Sequence, residues 1–80
     1  MSKQLIKFSK SGCTPCVMVS NYLKDKGVET KELDVFESPE AAQYGIASVP
    51  TLLLVDETGD VVDRVVGFNP DGIDNMVSKL

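Results

Sequence analysis

The spacing of the hydrophobic positions along this chain changes several times, and each change predicts a new element. Residues 5–9 form a short apolar run with polar flanks, which is typical of a buried strand. From Thr14 the apolar residues recur at steps of three and four, which predicts a helix that ends in the polar turn at 24–26 and at Gly27. The residues with this spacing are Pro15, Met18, Val19, Tyr22 and Leu23.

A second strand and a short second helix follow this helix. Residues 28–35 alternate between apolar and polar, which predicts a strand and completes a βαβ unit with the segments before it. The two strands of such a unit run parallel and are joined by a right-handed crossover. Ser38, Pro39 and Glu40 then have the chemistry of a helix N-terminus, and they predict a short helix that ends before Gly45.

The second half of the chain predicts a hairpin and a last helix. Residues 51–55 are the most hydrophobic segment and should form a central strand, which returns as 61–66 after a polar turn at 56–60. Asn69 is expected to cap a helix that begins at Pro70. The order βαβ–α–ββ–α predicts an α/β fold in one domain over residues 1–80. The predicted buried stripe of the last helix is Ile73, Met76, Val77 and Leu80.

Composition and charge narrow the classes of function. Apolar residues make up 42% of the 80 residues and charged residues 25%, which is ordinary for a globular protein. The net charge of −4 and the absence of a Lys/Arg cluster argue against a nucleic-acid partner. No apolar run approaches the roughly 20 residues that cross a bilayer, and the N-terminus leads into a strand-like segment instead of a secretory signal. We therefore expect a cytoplasmic protein without a membrane or nucleic-acid partner.

The two cysteines, Cys13 and Cys16, are separated by two residues at the start of the first predicted helix. A thiolate, and not a thiol, attacks a disulfide, and the free N–H groups and dipole of a helix N-terminus lower the pKa of a thiol placed there. Cys16 lies one helical turn further on, within bonding reach of Cys13. The spacing therefore predicts that Cys13 attacks a target disulfide and that Cys16 resolves the mixed disulfide.

Other interpretations of the pair stay open. Zinc needs four ligands, and a chain with no histidine and no third cysteine completes such a site only by sharing the metal in a dimer. Two further alternatives are cysteines with a purely structural role and a binding scaffold without redox chemistry. A CxxC motif that follows a strand and opens the helix of a βαβ unit favours the redox interpretation, so we expect no metal site.

Two motifs of this chain resemble the thioredoxin/glutaredoxin superfamily, and the resemblance covers nearly all of the chain. They are Cys13-Thr14-Pro15-Cys16 and the segment 44–54, YGIASVPTLLL. The resemblance implies the thioredoxin fold in a minimal, glutaredoxin-sized version, with a four-stranded mixed sheet flanked by helices. It also implies a cis Pro50 that faces the cysteines and a Val49 backbone that hydrogen-bonds the substrate.

The family resemblance extends to a glycine on the far side of the substrate groove, which corresponds to Gly67. The alternative for Gly67 is a purely conformational need at the end of a strand. The substrate-binding surface that the resemblance implies around Cys13 consists of Thr14, Pro15, Val49, Pro50, Gly67 and Phe68.

The sequence also departs from thioredoxin. It lacks the extra N-terminal strand and helix, and Gly12 stands where thioredoxins carry a tryptophan. Lys7 replaces the buried acid that thioredoxins have six residues before the first cysteine, and Glu32 aligns near the partner lysine of that acid. We hypothesise that Lys7 and Glu32 form a charge-reversed pair beneath Cys16 and modulate its chemistry. The alternative is a Lys7 whose ammonium reaches solvent beside a solvated Glu32.

The resemblance leaves three redox functions open. The first is a protein-disulfide reductase that an NADPH-dependent thioredoxin reductase recharges. The second is an NrdH-type redoxin, which donates electrons to ribonucleotide reductase. Residues 67–71 resemble the Gly-Phe-x-Pro-Asp segment of these redoxins. A glutathione-dependent glutaredoxin is less favoured, because the stretch 66–71 lacks the double glycine of that family. We expect a monomer that holds no cofactor beyond its own Cys13–Cys16 disulfide.

Overall fold

The computed structural model describes residues 3–80, and this part of the chain contains four strands and three helices in the predicted order. The elements are β1 (Gln4–Ser9), α1 (Thr14–Asp25), β2 (Lys31–Asp34), α2 (Pro39–Gln43), β3 (Thr51–Val55), β4 (Val61–Val66) and α3 (Pro70–Val77). None of these helices is both long enough and apolar enough to cross a bilayer, within the residues described.

The four strands form one mixed sheet, as predicted, and their order in it is β2-β1-β3-β4. β1 runs parallel to β2 and antiparallel to β3, and β3 pairs antiparallel with β4. Ser9 pairs with Asp34, Phe8 with Thr51, and Thr51 with Val66. The segments after β1, β2 and β4 and the segment before β3 therefore all meet at one edge of the sheet.

The two faces of the sheet bury two separate apolar clusters. Successive residues of a strand point to opposite faces, so Leu5 and Lys7 of β1 point to one face and Ile6 and Phe8 to the other. α1 and α3 cover the first face and α2 covers the second. The first cluster contains Leu5, Val19, Leu23, Leu52, Leu54, Val65, Ile73 and Met76, and the second contains Ile6, Phe8, Ala41, Leu53 and Val55.

Helix α1 buries a narrower stripe than the spacing predicts. Its buried residues are Cys16, Val19 and Leu23, whereas Met18 is 44% exposed. Met18 lies two residues from Cys16, which is about 200° around a helix of 3.6 residues per turn, and so it points away from the sheet. Met18 thus shares the apolar spacing of the helix without facing the core.

Strand β2 is shorter than predicted, because the residues expected to begin it connect α1 to the sheet and the first of them is hydrogen-bonded to the last turn of α1. The Val28 amide donates to the Leu23 carbonyl over 3.0 Å, and its side chain packs on the first cluster. Residues 28–30 thus connect α1 to the sheet, and pairing with β1 covers only 31–34.

Helix α3 begins as predicted and ends early. The Asn69 side chain accepts a hydrogen bond from the Gly72 amide over 3.1 Å, and Pro70 occupies the first helical position. The helix ends at Val77, and Leu80 is 54% exposed, so the prediction of a buried Leu80 was wrong.

Candidate active site

Cys13 is the N-cap residue of α1, directly after the turn that leaves β1. Its backbone is extended, and Gly12 before it adopts a φ of +74°, a left-handed conformation that glycine tolerates best. The Cys13 sulfur accepts a hydrogen bond from the Cys16 amide over 3.2 Å, while the Cys13 carbonyl accepts one from Val17. The sulfur thus lies where the first amides of the helix converge, which favours negative charge on it.

Cys13 and Cys16 are joined by a disulfide whose Cα atoms are 5.2 Å apart. Cys13 is 8% exposed and Cys16 is 3% exposed, so Cys13 is the more accessible sulfur-bearing residue. Both line an open cavity of about 450 Å³ at the start of α1. The arrangement permits an incoming thiolate to reach the bond from the Cys13 side.

A polar cluster lines the same cavity behind the disulfide. The Lys7 ammonium donates a hydrogen bond to the Ser20 hydroxyl and lies 3.4 Å from a carboxylate oxygen of Glu32. The other oxygen of Glu32 accepts a hydrogen bond from the Ser9 hydroxyl over 3.0 Å. Lys7 is 1% exposed, so its ammonium does not reach bulk solvent, and it forms the hypothesised ion pair with Glu32.

The sequence analysis missed Ser9 and Ser20 as members of this cluster. The sequence does contain a signal for Ser20, because this residue follows Cys16 by four positions and so shares its helix face. A serine on an otherwise apolar face needs a buried partner, and Lys7 supplies it. Ser9 offered a weaker signal, since a polar residue at a strand end is ordinary.

The loop before β3 contains the expected cis peptide bond between Val49 and Pro50. The Pro50 carbonyl accepts a hydrogen bond from the Gly67 amide over 2.8 Å, and the Thr51 hydroxyl donates to the Ser48 carbonyl over 2.7 Å. Pro50 is buried and Val49 half-buried against the second cluster. These contacts bring Val49, Pro50 and Gly67 together.

The remaining predicted surface residues separate into two kinds. Thr14 and Pro15 are exposed in the first turn of α1 beside Cys13, at the sheet edge where the Val49–Pro50 loop also lies. Phe68 is different, because its ring packs edge-on against Tyr22 with 5.8 Å between ring centroids and against the first cluster. Its half-buried side chain thus contributes to packing between α1 and the segment after β4.

In residues 3–80, no group of three or more histidine, cysteine, aspartate or glutamate side chains is arranged to hold a metal ion.

Comparisons with known proteins give a consistent result. Residues 5–56 match the family model described as glutaredoxin. The chain is 40% identical over 78 residues to the SPbeta prophage-derived thioredoxin-like protein YosR of Bacillus subtilis, which covers 96% of this chain and 98% of that relative. It is 38% identical over 74 residues to a thioredoxin of Staphylococcus aureus, covering 84% of this chain and 70% of that protein.

Solved structures of thioredoxins share the fold of this chain. The oxidised mitochondrial thioredoxin 3 of Saccharomyces cerevisiae superimposes with a TM-score of 0.79 at 27% identity, over 98% of this chain and 78% of the yeast chain. A mutant thioredoxin from Halobacterium salinarum gives a TM-score of 0.80 at 28% identity, over 96% and 73% of the two chains.

Proposed function

The chain belongs to the thioredoxin/glutaredoxin superfamily and is an oxidoreductase of protein disulfides, and from this we propose that it is a thioredoxin-like electron carrier that an NADPH-dependent thioredoxin reductase recharges. The observation that carries the proposal is Cys13 at the N-cap of α1, bonded to Cys16 one turn along the helix. The relation to thioredoxins supports the choice of reductant.

In the proposed cycle the reduced chain transfers two electrons to a target disulfide. The Cys13 thiolate attacks one target sulfur, a Cys13–target bond forms, and the second target sulfur leaves as a thiolate. The Cys16 thiolate then attacks the Cys13 sulfur, which forms the Cys13–Cys16 disulfide and releases the first target sulfur. The reductase returns two electrons to the disulfide and completes the cycle.

We place the target chain against the loop segments that flank Cys13. Val49 would offer its backbone to an extended segment of the target, and Pro50 and Gly67 would border it, because the Gly67–Pro50 hydrogen bond holds these loops together. Thr14 and Pro15 present exposed surface on the other side of Cys13. Backbone contacts of this kind suit a carrier that serves protein substrates of differing sequence.

A second candidate function is electron donation to ribonucleotide reductase, in the manner of an NrdH-type redoxin. The observation that favours it is the structure of segment 67–71, which resembles a motif of those redoxins. Asn69 caps α3 and Pro70 is its first residue, so the segment forms a defined corner between β4 and α3. Glutathione-dependent reduction ranks below both, because this segment has no double glycine.

Insulin reduction with two alternative electron sources tests the proposal. The oxidised chain is supplied with NADPH and thioredoxin reductase in one arm, and with NADPH, glutathione and glutathione reductase in the other. We expect NADPH consumption to depend on the chain in the first arm and to stay near the blank in the second. Faster turnover with glutathione contradicts the proposed reductant, and a third arm with ribonucleotide reductase measures the alternative function.

Two cysteine variants serve as controls in the same assay. Cys13→Ser should abolish insulin reduction, because the attacking thiolate is lost. Cys16→Ser should stop turnover and accumulate a mixed disulfide with insulin, visible on a non-reducing gel. Undiminished insulin reduction by Cys13→Ser would contradict the redox assignment of this residue.

A further inference from the structure

A buried ammonium group lies behind the redox-active turn, and the cycle proposed above gives it no role. Lys7 is the one charged residue that is buried among residues 3–80, with 1% of its surface exposed. Burial of a charge is costly unless partners compensate it. A neutral apolar residue at this strand position would avoid that cost, so the charge calls for an explanation.

The ionic compensation of Lys7 is incomplete. Its hydrogen-bond partner is the neutral Ser20 hydroxyl, and its counter-ion Glu32 lies at 3.4 Å with a side chain that is 56% exposed. Water screens a carboxylate at that exposure far more than it screens the buried ammonium. The Glu32 charge is further shared with the Ser9 hydroxyl. A net positive potential is therefore left at the inner wall of the cavity.

That inner wall is close to Cys16. Ser20, which receives the Lys7 hydrogen bond, follows Cys16 by four residues on α1, and residues at this spacing are neighbours on one helix face. Cys16 lines the same cavity as Lys7 and is 3% exposed. The Lys7 ammonium is therefore held at the residue one helical turn beyond Cys16, in surroundings where charges interact more strongly than in bulk water.

We propose that Lys7 is an electrostatic positioning residue that stabilises the thiolate of Cys16 for the resolving step, and that Glu32 moderates this effect. The inference rests on the proposed function. The Cys16 proton leaves to water through the cavity opening, and the Cys16 thiolate attacks the Cys13 sulfur. The Cys13–Cys16 bond forms, the Cys13–target bond breaks, and the target sulfur leaves as a thiolate.

The proposal requires shifts of opposite sign in two variants. Lys7→Met removes the cation and should raise the pH midpoint of thiolate formation at Cys16. It should also destabilise the dithiol form, shifting the exchange equilibrium with a reference dithiol about tenfold toward the oxidised chain, or about 30 mV for a two-electron couple. Glu32→Gln removes the anion and should move both quantities the other way, by less, because Glu32 is largely solvated.

The thiolate titration is measured by ultraviolet absorbance in a Cys13→Ser background, where Cys16 is the single thiol. Two further variants separate the buried charge from general effects. Lys10 lines the cavity but is exposed, so Lys10→Met should leave the midpoint unchanged. Lys7→Arg keeps the cation and should keep the parental midpoint. Shifts of the same sign in Lys7→Met and Glu32→Gln, or no shift in either, would overturn the proposal.

Insulin reduction by the unmodified chain keeps this inference distinguishable from the proposed function. Where that chain reduces insulin but the two variants leave the midpoint unmoved, Lys7 has a structural role only and the proposed function stands. Where the midpoints shift oppositely but no reductant supports insulin reduction, the electrostatic effect stands and the proposed function fails. Should Lys7→Met not fold, the surface variant Glu32→Gln decides the question by itself.

Discussion

The Cys13 sulfur caps helix α1, and in the proposed cycle the same atom attacks the target disulfide. The sulfur accepts the Cys16 amide hydrogen bond that a serine or aspartate side chain accepts at other helix N-termini. A neutral thiol is a weak acceptor, whereas a thiolate forms a charge-assisted bond that is stronger. Ionisation of Cys13 therefore improves its own cap, which links reactivity to the local structure of α1.

Gly67, which the family resemblance places at a substrate groove, also has a left-handed backbone conformation that favours glycine. Its φ is +79°, a conformation that costs other L-residues about 1–2 kcal/mol, and a Cβ added there would have nothing within 4 Å. We expect Gly67→Ala to lower the free energy of unfolding by about 1 kcal/mol through the backbone alone. If the groove borders Gly67, the variant should also raise KM for insulin while kcat changes little.

Gly27→Ala is the matched control for this prediction. Gly27 has a φ of +71°, again with nothing within 4 Å of an added Cβ, and it lies at the far end of α1 from the cysteines. The free energy of unfolding of Gly27→Ala, measured by denaturant titration, should fall by a similar amount, whereas its KM for insulin should stay at the parental value. Equal KM values for the two variants would assign Gly67 a conformational role only.

Among the helices and strands, those with a strong local signal were predictable and those that depend on partners were not. The predicted N-terminus of α3 matches the structure to the residue, because Asn69 and Pro70 specify it locally. The predicted start of β2 was wrong. Alternation of apolar and polar residues from residue 28 is the same whether Val28 pairs in a sheet or packs against the core after α1. The ion pair was only a hypothesis from alignment, since its geometry depends on how β1, β2 and α1 pack.

Asp74 of α3 connects this helix to α1 through two residues. Lys26 approaches its carboxylate at 2.8 Å, and the Tyr22 hydroxyl donates to the same oxygen over 2.7 Å. The hydrogen bond from Lys26, followed by that from Tyr22, holds the pKa of Asp74 below its usual value of 3.8. A lowered carboxyl pKa contributes stability above the unfolded-state value, and this contribution is lost as pH falls through the folded-state value.

Asp74→Asn should therefore destabilise the protein slightly at neutral pH and not in strong acid. The asparagine retains an oxygen that accepts the Tyr22 hydrogen bond, so the change removes mainly the charge opposite Lys26. Urea midpoints of parent and variant are compared at neutral pH and at a pH well below 3.8. Asp25→Asn, an exposed change on α1, is the control and should show little difference at either pH. A gap that persists undiminished in acid would refute the electrostatic link.

The molecule as a whole is unevenly built around its sheet. The face under α1 and α3 buries eight clustered residues from both helices, β1, β3 and β4, whereas α2 contributes only Ala41 to the opposite face. α2 has five residues, and the Ser38 side chain makes no capping hydrogen bond to it. The cysteines are attached to the better-packed face through α1, and the Val49–Pro50 loop follows the weaker α2.

This asymmetry predicts different local stabilities on the two sides of the site. Amides of Leu53 and Leu54 lie in β3, which is paired on both sides and buried throughout, so they should exchange with solvent only through global unfolding. Amides at the end of α2 and directly after it, at 43–45, should exchange at least about tenfold faster, a difference of about 1.4 kcal/mol, through local opening. Native-state hydrogen exchange of the oxidised chain measures both. Equal protection would mean that the end of α2 opens no more readily than the central strand. The expected difference would place the Val49–Pro50 loop directly after the less stable part of the molecule, while the cysteines stay attached to the more stable face.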